Sequence, residues 1–439
     1  LYENRGQESE FGDVSKSDTG KRENPHPESI FIFGCVCLAG MGVYMKRFSI
    51  ISLGCSKNLV DSEYICERFL HAGFEMAEDP QDADIVVVNT CAFLRSAVEE
   101  SIKVILELAD SGKDVICAGC MVSRYKKELL KELTGVRLFA GPGTYDALPD
   151  VLDDLNDRYM APHFGQVVSR SFVSTGTSAY LKICEGCSNH CNYCLIPSLR
   201  GELISKPVEI VEKEFKCLAD SGVKEIIFIG QDIGSYGRDV GKSEGLVELL
   251  NRIAGIQGPE WIRIMYVHPA SITDELIDII RDNPGICPYI DMPIQHISDN
   301  VLKAMARKGG RPAVESAIER VVDKGISIRS TVMVGHPGED EHAFYELAEF
   351  ISKGYIDHLG VFEFSPEPGT ISYNMTPQIP DSVKAERKGR IMSIQQEISR
   401  DKLKALVGKK LKVLLEGYHS ETDLLLEGRA SFQAPDVDG

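Results

Sequence analysis

Three observations predict an α/β fold class. From residue 46 onward, apolar strand-like runs that end in Gly-Cys or Thr-Cys alternate with helical stretches. A second and longer alternating series begins near residue 180. After residue 408, short β-type runs are bounded by Gly408, Gly417 and Gly428. Strands alternating with helices form parallel sheets covered by helices. The 439 residues give room for several domains. We expect a parallel-sheet α/β domain over residues 46–160, an open (β/α)6 partial barrel over 173–395, and an incomplete small β-barrel over 396–439.

In the first domain, residues 48–53 read as a strand ending at Gly54-Cys55, followed by a helix over 59–71. Residues 84–89 form a second strand ending at Thr90-Cys91, with a helix over 97–109. Residues 114–118 form a third, ending at Gly119-Cys120. Cys55, Cys91 and Cys120 therefore each fall just past the carboxyl end of a strand, the edge where open parallel sheets bind ligands. Three such thiols are candidates for one shared metal site, although any one of them also reads as a small buried residue. Cys117 lies inside its strand and reads as core; Cys66, Cys217 and Cys287 read as packing.

Residues 1–45 are expected to lie outside this fold. Positions 1–29 are polar and charged, and residues 30–44 form a mostly apolar run of 15. That run is short for a membrane span, and the polar stretch before it is unlike a signal peptide. Met45 reads as the natural start, and Cys35 and Cys37 are set aside with the leader. No membrane partner is expected.

A connector of mixed polarity covers residues 150–178. Strands then follow at about 180–184, 225–230, 261–267, 288–292, 327–334 and 357–363, with helices such as 208–219 and 343–351 between them. Six strands are fewer than the eight of a closed barrel. After the first of them comes Glu185-Gly-Cys-Ser-Asn-His-Cys-Asn-Tyr-Cys194, a C-x3-C-x2-C loop. Cys187, Cys191 and Cys194 can hold three irons of a cubane cluster and leave the fourth open, the mark of a catalytic centre. A Cys3His zinc site that adds His190 is the competing reading. Cys184 points from its strand into the core.

Polar turns follow the later strands: Gly230-Gln231-Asp232, Pro293-Ile-Gln295-His296, Gly335-His-Pro-Gly338-Glu339 and Glu367-Pro-Gly-Thr370. At the carboxyl ends of barrel strands such turns suit ligand contacts, and each also reads as an ordinary loop. Arg200, just past the cysteine loop, is placed to pair with a carboxylate. A charged helix over 382–406 leads to the last domain.

Net charge is 48 − 66 = −18, which speaks against nucleic acid as the primary partner. The 13 cysteines are odd in number and spread widely, unlike a disulfide scaffold. A reducing, cytoplasmic setting with thiols free for metal is expected.

The cysteine loop, with Tyr180-Leu-Lys-Ile-Cys-Glu-Gly-Cys187 before it and Arg200-Gly201 after it, resembles the core of the radical S-adenosylmethionine (SAM) enzymes. Together with Leu53-Gly-Cys-Ser-Lys-Asn58, Asn89-Thr-Cys91 and Gly119-Cys120, the chain resembles a methylthiotransferase of that superfamily, with a TRAM-like C-terminal piece. The resemblance implies two [4Fe-4S] clusters, one on Cys187, Cys191 and Cys194 and one on Cys55, Cys91 and Cys120. It also implies SAM as cofactor, with Gln231, Asp232, Gln295, Gly335, Gly338 and Arg200 as its candidate contacts. Gly230-Gln-Asp-Ile-Gly-Ser-Tyr-Gly237, Met292-Pro-Ile-Gln-His-Ile-Ser298 and Gly360-Val-Phe-Glu-Phe-Ser-Pro-Glu-Pro-Gly-Thr370 resemble the branch that modifies an aspartate of a small-subunit ribosomal protein. Residues 396–439 hold seven Lys/Arg against eight Asp/Glu, poor equipment for gripping tRNA phosphates. Expected partners are that protein or its ribosomal subunit, an electron donor and a sulfur source. The alternatives are the tRNA-adenosine branch and a non-catalytic zinc or iron–sulfur module that docks on the ribosome.

Overall fold

The structure, a computed structural model, describes residues 31–32, 46–152, 157–163, 170, 176–242, 245–419, 422–435 and 437–438. The first domain is a parallel sheet built on β1 (Arg47–Ser52), β2 (Ile85–Thr90), β3 (Asp114–Gly119) and β4 (Val136–Ala140), in that spatial order. Helices α1 (Ser56–His71) and α2 (Arg95–Asp110) connect them. β2 is buried along its whole length. Its Ile-Val-Val-Val run is continuous rather than alternating, as a strand covered on both faces requires. Strand β4 escaped the sequence reading. Phe31–Ile32, inside the segment set aside as a leader, pair antiparallel with Ile51 and Ser52 at the edge of β1.

The second domain carries the six expected strands: β5 (Ser178–Lys182), β6 (Glu225–Ile229), β7 (Trp261–Ile264), β8 (Tyr289–Asp291), β9 (Ser327–Val334) and β10 (His358–Glu363). All neighbouring pairs are parallel, in two hydrogen-bonded groups, β7-β6-β5 and β8-β9-β10. A parallel bridge between Ile262 and Ile286 joins the groups at the seam. The largest core lies between these strands and their helices, among them α3 (Val208–Asp220) and α4 (Glu341–Ser352). Cys184 lies in that core, and a Cβ on Gly230 would come within 2.5 Å of its sulfur. Cys117, Cys66 and Cys287 are buried as expected, whereas Cys217 is only half-buried.

The long helix α5 (Asp381–Lys404) returns along β10 and α4. Beyond it, β11 (Val413–His419) and β12 (Thr422–Ala430) form one antiparallel hairpin, so the described residues of the third region close no barrel. Two of its side chains fasten this region beneath the second domain. Arg429 pairs with Glu225, and Asp438 meets the Tyr289 hydroxyl (2.6 Å) and Arg329 (3.2 Å), all near the amino ends of the strands.

The first two domains are joined by buried charges. Arg170, in the connector, pairs with Glu63 of α1 (2.6 Å) and with Glu214 of α3. Lys182 of β5 pairs with Asp61 of α1. Such pairs contribute little net stability, but they fix register, because any other docking leaves a charge unpartnered. Among the described residues, no helix is long and apolar enough to cross a membrane.

Candidate functional site

The two cysteine triplets lie on facing edges of the first two domains. Cys55 precedes α1, Cys91 follows β2, and Cys120 opens a short helix after β3 (Cys120–Tyr125). Asn58 holds these turns together: its amide nitrogen donates to Leu53 O (2.8 Å) and Thr90 O (3.1 Å). The Asn89 side chain donates to Asn58 O (2.8 Å) in return. Gly54 adopts φ +89°, and a Cβ there would stand 2.6 Å from that of Cys91. Only glycine lets the first turn approach the second cysteine so closely.

The other triplet lies on the loop after β5. Cys187 N donates to Gly201 O (3.1 Å), and Cys194 N to Cys191 O (3.0 Å). Gly186 adopts φ +73°, and a Cβ there would fall 2.0 Å from Glu202 O. Gly186→Ala is therefore expected to cost about 1–3 kcal/mol from its φ alone, plus the displacement of the loop. Iron bound per chain after anaerobic reconstitution should fall; unchanged iron content would mean that the loop tolerates the side chain.

The chemistry around both triplets fits an iron–sulfur cluster. Among the described residues, no three His, Cys, Asp or Glu side chains converge closely enough to ligate one metal ion. Yet the thiols of each triplet are near enough to feel one another's charge. Five of the six sulfurs have a donor beside them: Asn189 at Cys187 (3.5 Å), Arg307 at Cys191 (3.7 Å), Ile196 N at Cys194 (3.4 Å), Arg200 at Cys120 (3.1 Å) and Phe93 N at Cys91. Donors to sulfur are a feature by which a protein tunes an iron–sulfur cluster. Burial, reinforced by the neighbouring thiols, pushes Cys91 and Cys194 up to about 12. Thiolates there need the positive charge that bound metal supplies. His190 does not join the loop's thiols: it is exposed, and its ring faces Glu202 at 3.3 Å. The zinc reading thus lacks its fourth ligand.

Arg200 connects the triplets. It ends the short helix Ile196–Arg200, just past Cys194, and reaches Cys120, Asp61 (2.6 Å) and Asn58 in the other domain. Glu185, two residues before Cys187, lies 3.4 Å from Arg200 and 2.6 Å from Lys182. Burial opposes charge on Glu185, but Lys182 and Arg200 outweigh it and hold the carboxyl at about 2. The expected carboxylate partner of Arg200 is thus the protein's own, and its donors are occupied at the second triplet.

The other predicted contacts gather at the carboxyl ends of the barrel strands. The Asp232 carboxylate accepts from Asn189 (2.7 Å), Ser235 (2.8 Å) and His268 N (3.3 Å), and so is already satisfied. Gln231 donates to Glu185, but its Oε1 is buried without a partner. Nε2 of His268 is likewise buried without a hydrogen bond, Nε2 of His296 comes no nearer than 3.9 Å to Glu339, and the buried His336 ring lies against Pro337 and Ser372. Burial holds His268 at about 2 and His296 at about 3, so both rings are neutral. Four successive strand ends thus each carry a buried polar atom open to a further hydrogen bond, at the edge where barrel enzymes place their ligands. Gln295 is half-buried at φ +70°, and Gly335 N donates to Glu339 (2.6 Å). Gly338 adopts φ +100° at the same turn. At the rim, a groove of about 730 Å³ runs between the domains past Arg95, Arg124, Glu367 and Tyr373. Sequence reasoning missed Asp61, Lys182 and Arg307, whose surroundings come from distant segments.

The Radical SAM superfamily description matches residues 181–351, and that of Uncharacterized protein family UPF0004 matches residues 47–141. The chain is 42% identical to the ribosomal protein uS12 methylthiotransferase RimO of Trichlorobacter lovleyi over 409 residues, covering 90% of this chain and 91% of the relative. The enzyme of the same name from Aquifex aeolicus is 42% identical over 395 residues, with 90% of each covered. This chain belongs to the RimO family of uS12 methylthiotransferases. Among solved structures, the radical SAM methyltransferase TsrM of Kitasatospora setae aligns with a TM-score of 0.53 at 15% identity, over 69% of this chain and 71% of that one. That likeness concerns the fold. In this RimO-family chain the UPF0004 match carries Cys55, Cys91 and Cys120, and the radical SAM match carries Cys187, Cys191 and Cys194.

Proposed function

We propose that this chain is a radical SAM methylthiotransferase that places a methylthio group on the β-carbon of an aspartate in ribosomal protein uS12. The observation that carries the reading is the joining of two cysteine triplets, from two domains, through the single side chain of Arg200. Cys187, Cys191 and Cys194 would hold one [4Fe-4S] cluster, and Cys55, Cys91 and Cys120 the other. When bound, the clusters and SAM supply a radical able to break an unactivated C–H bond, together with the sulfur and methyl to be inserted.

The chain's own residues prepare that chemistry. Asn58, Asn89 and Arg200 fix the second triplet against the first. Gln231 and His268 offer SAM their buried atoms that lack a hydrogen bond, and His296 and His336 line the same strand ends. The Arg124–Glu367 pair (2.6 Å) ties the domains together at the rim and helps keep water from the interior. An electron donor, a sulfur source and a cytoplasmic setting complete the proposal, and contact with nucleic acid is secondary.

The test offers anaerobically reconstituted enzyme, SAM, reductant and sulfide to small ribosomal subunits and, separately, to unmodified tRNA. A methylthio mass shift on an aspartate peptide of uS12 is expected. A shift on a tRNA adenosine instead would overturn the choice of substrate. The relatives do not favour that outcome.

A further inference from the structure

Lys57 stands two residues after Cys55, in the first turn of α1, and is 91% buried (9% exposed). Its Nζ lies 3.1 Å from the centroid of the Tyr266 ring. Among the described residues no carboxylate lies within ion-pair distance of it, and no acceptor within hydrogen-bond distance. Three other cations at this domain junction have one: Lys182, Arg200 and Arg170 each pair with carboxylates. Asp291 is close enough to feel the charge of Lys57, but its oxygens are committed to Arg329 (2.9 Å) and Tyr266 N (3.1 Å). An ammonium that rests on an aromatic face and has no carboxylate partner is open to an anionic ligand, which would supply one.

Its location narrows the ligand. Tyr266 follows β7 at the carboxyl end and adopts φ +64°, a strained backbone for a tyrosine. Its carbonyl accepts from Ile233 N (3.0 Å), which ties the ring to the Gln231–Asp232 turn. Lys57 thus spans the interval between the second triplet and the ligand face of the barrel. A substrate whose reacting carbon must reach both places would bring the atoms next to that carbon to the ammonium.

We infer that Lys57 is a specificity residue that binds the carboxylate of the target side chain, while Tyr266 holds the empty ammonium in place. In aspartate that carboxylate is attached to the β-carbon itself. One cation therefore both selects the residue type and fixes the reacting carbon. This rests on the aspartate reading proposed above. The other carboxylate within reach of this face would be that of SAM.

The test uses reconstituted full-length enzyme with Lys57→Met and Lys57→Gln. Three quantities are read: affinity for uS12 and for uS12 with the target aspartate changed to asparagine, methylthio product, and 5′-deoxyadenosine formed without substrate as SAM is varied. Wild type should prefer the aspartate form. K57M should lose that preference, with kcat/KM for uS12 falling on the order of 100-fold. Its cluster absorption and its SAM dependence of 5′-deoxyadenosine formation should stay at wild-type levels. If K57M cannot be loaded with iron, K57Q, of similar reach, carries the same test. An unchanged preference for aspartate would overturn the assignment. So would a higher SAM requirement with the preference intact, which would give Lys57 to the SAM carboxylate. If wild type modifies no aspartate at all, the proposed function fails instead.

Discussion

Cys194→Ala is expected to abolish both 5′-deoxyadenosine formation and methylthio product, whereas Cys91→Ala should abolish the product alone. The difference follows from which domain holds each sulfur. Cys194 lies on the loop that leads into Arg200, and Asn189 of the same loop reaches Asp232 at a barrel strand end. Cys91 lies across the junction, on the turn that Asn58 and Gly54 hold in place. Chromatography of the nucleoside and mass spectrometry of uS12 read the two outcomes from one reaction. Product from Cys91→Ala would remove the second triplet from the chemistry. Loss of deoxyadenosine in that variant would instead mean that the two sites cannot be assembled separately.

Arg200→Met should have the largest effect on stability. It leaves Asp61 and Glu185 buried with only Lys182 between them, and breaking a buried ion network from one side costs about 3–5 kcal/mol. It also strips Cys120 of its donor and Asn58 of a partner. Arg200→Lys should recover only part of the loss, since one ammonium cannot serve acceptors that a planar guanidinium reaches together. Denaturant unfolding of the metal-free protein and iron content after reconstitution measure the two effects. If R200M unfolds at the wild-type midpoint and holds as much iron, the network is not what joins the sites.

The strands and both triplets were legible because they obey local rules. A period-two or continuous apolar run ending in Gly-Cys reveals both the strand and the edge its cysteine occupies. Strand β4 was not legible. The helical segment before it is broken into short pieces, Cys120–Tyr125 and Leu129–Glu132, so the strand–helix rhythm fails there. The role of Arg200 was only half legible. Its charge announces a carboxylate partner, but Asp61 lies 139 positions away, in another domain. Asp232 shows the opposite limit. A polar residue after a strand looks available, yet its own loop had already satisfied it. Lys57 gave no signal of its own, since its meaning lies in the acceptors it lacks, and only three-dimensional neighbours show that.

The charged seam on α1 also bears on how this architecture can be recombined. Asp61 and Glu63 lie on one helix of the first domain, while Lys182, Glu185, Arg200 and Glu214 belong to the second, with Arg170 between them in the linking segment. A chimera that took either domain from a relative with a different seam would inherit a stranded buried charge. The halves are therefore not interchangeable parts, and transplanting a new specificity would require grafting α1, the linker and the cysteine loop as one unit.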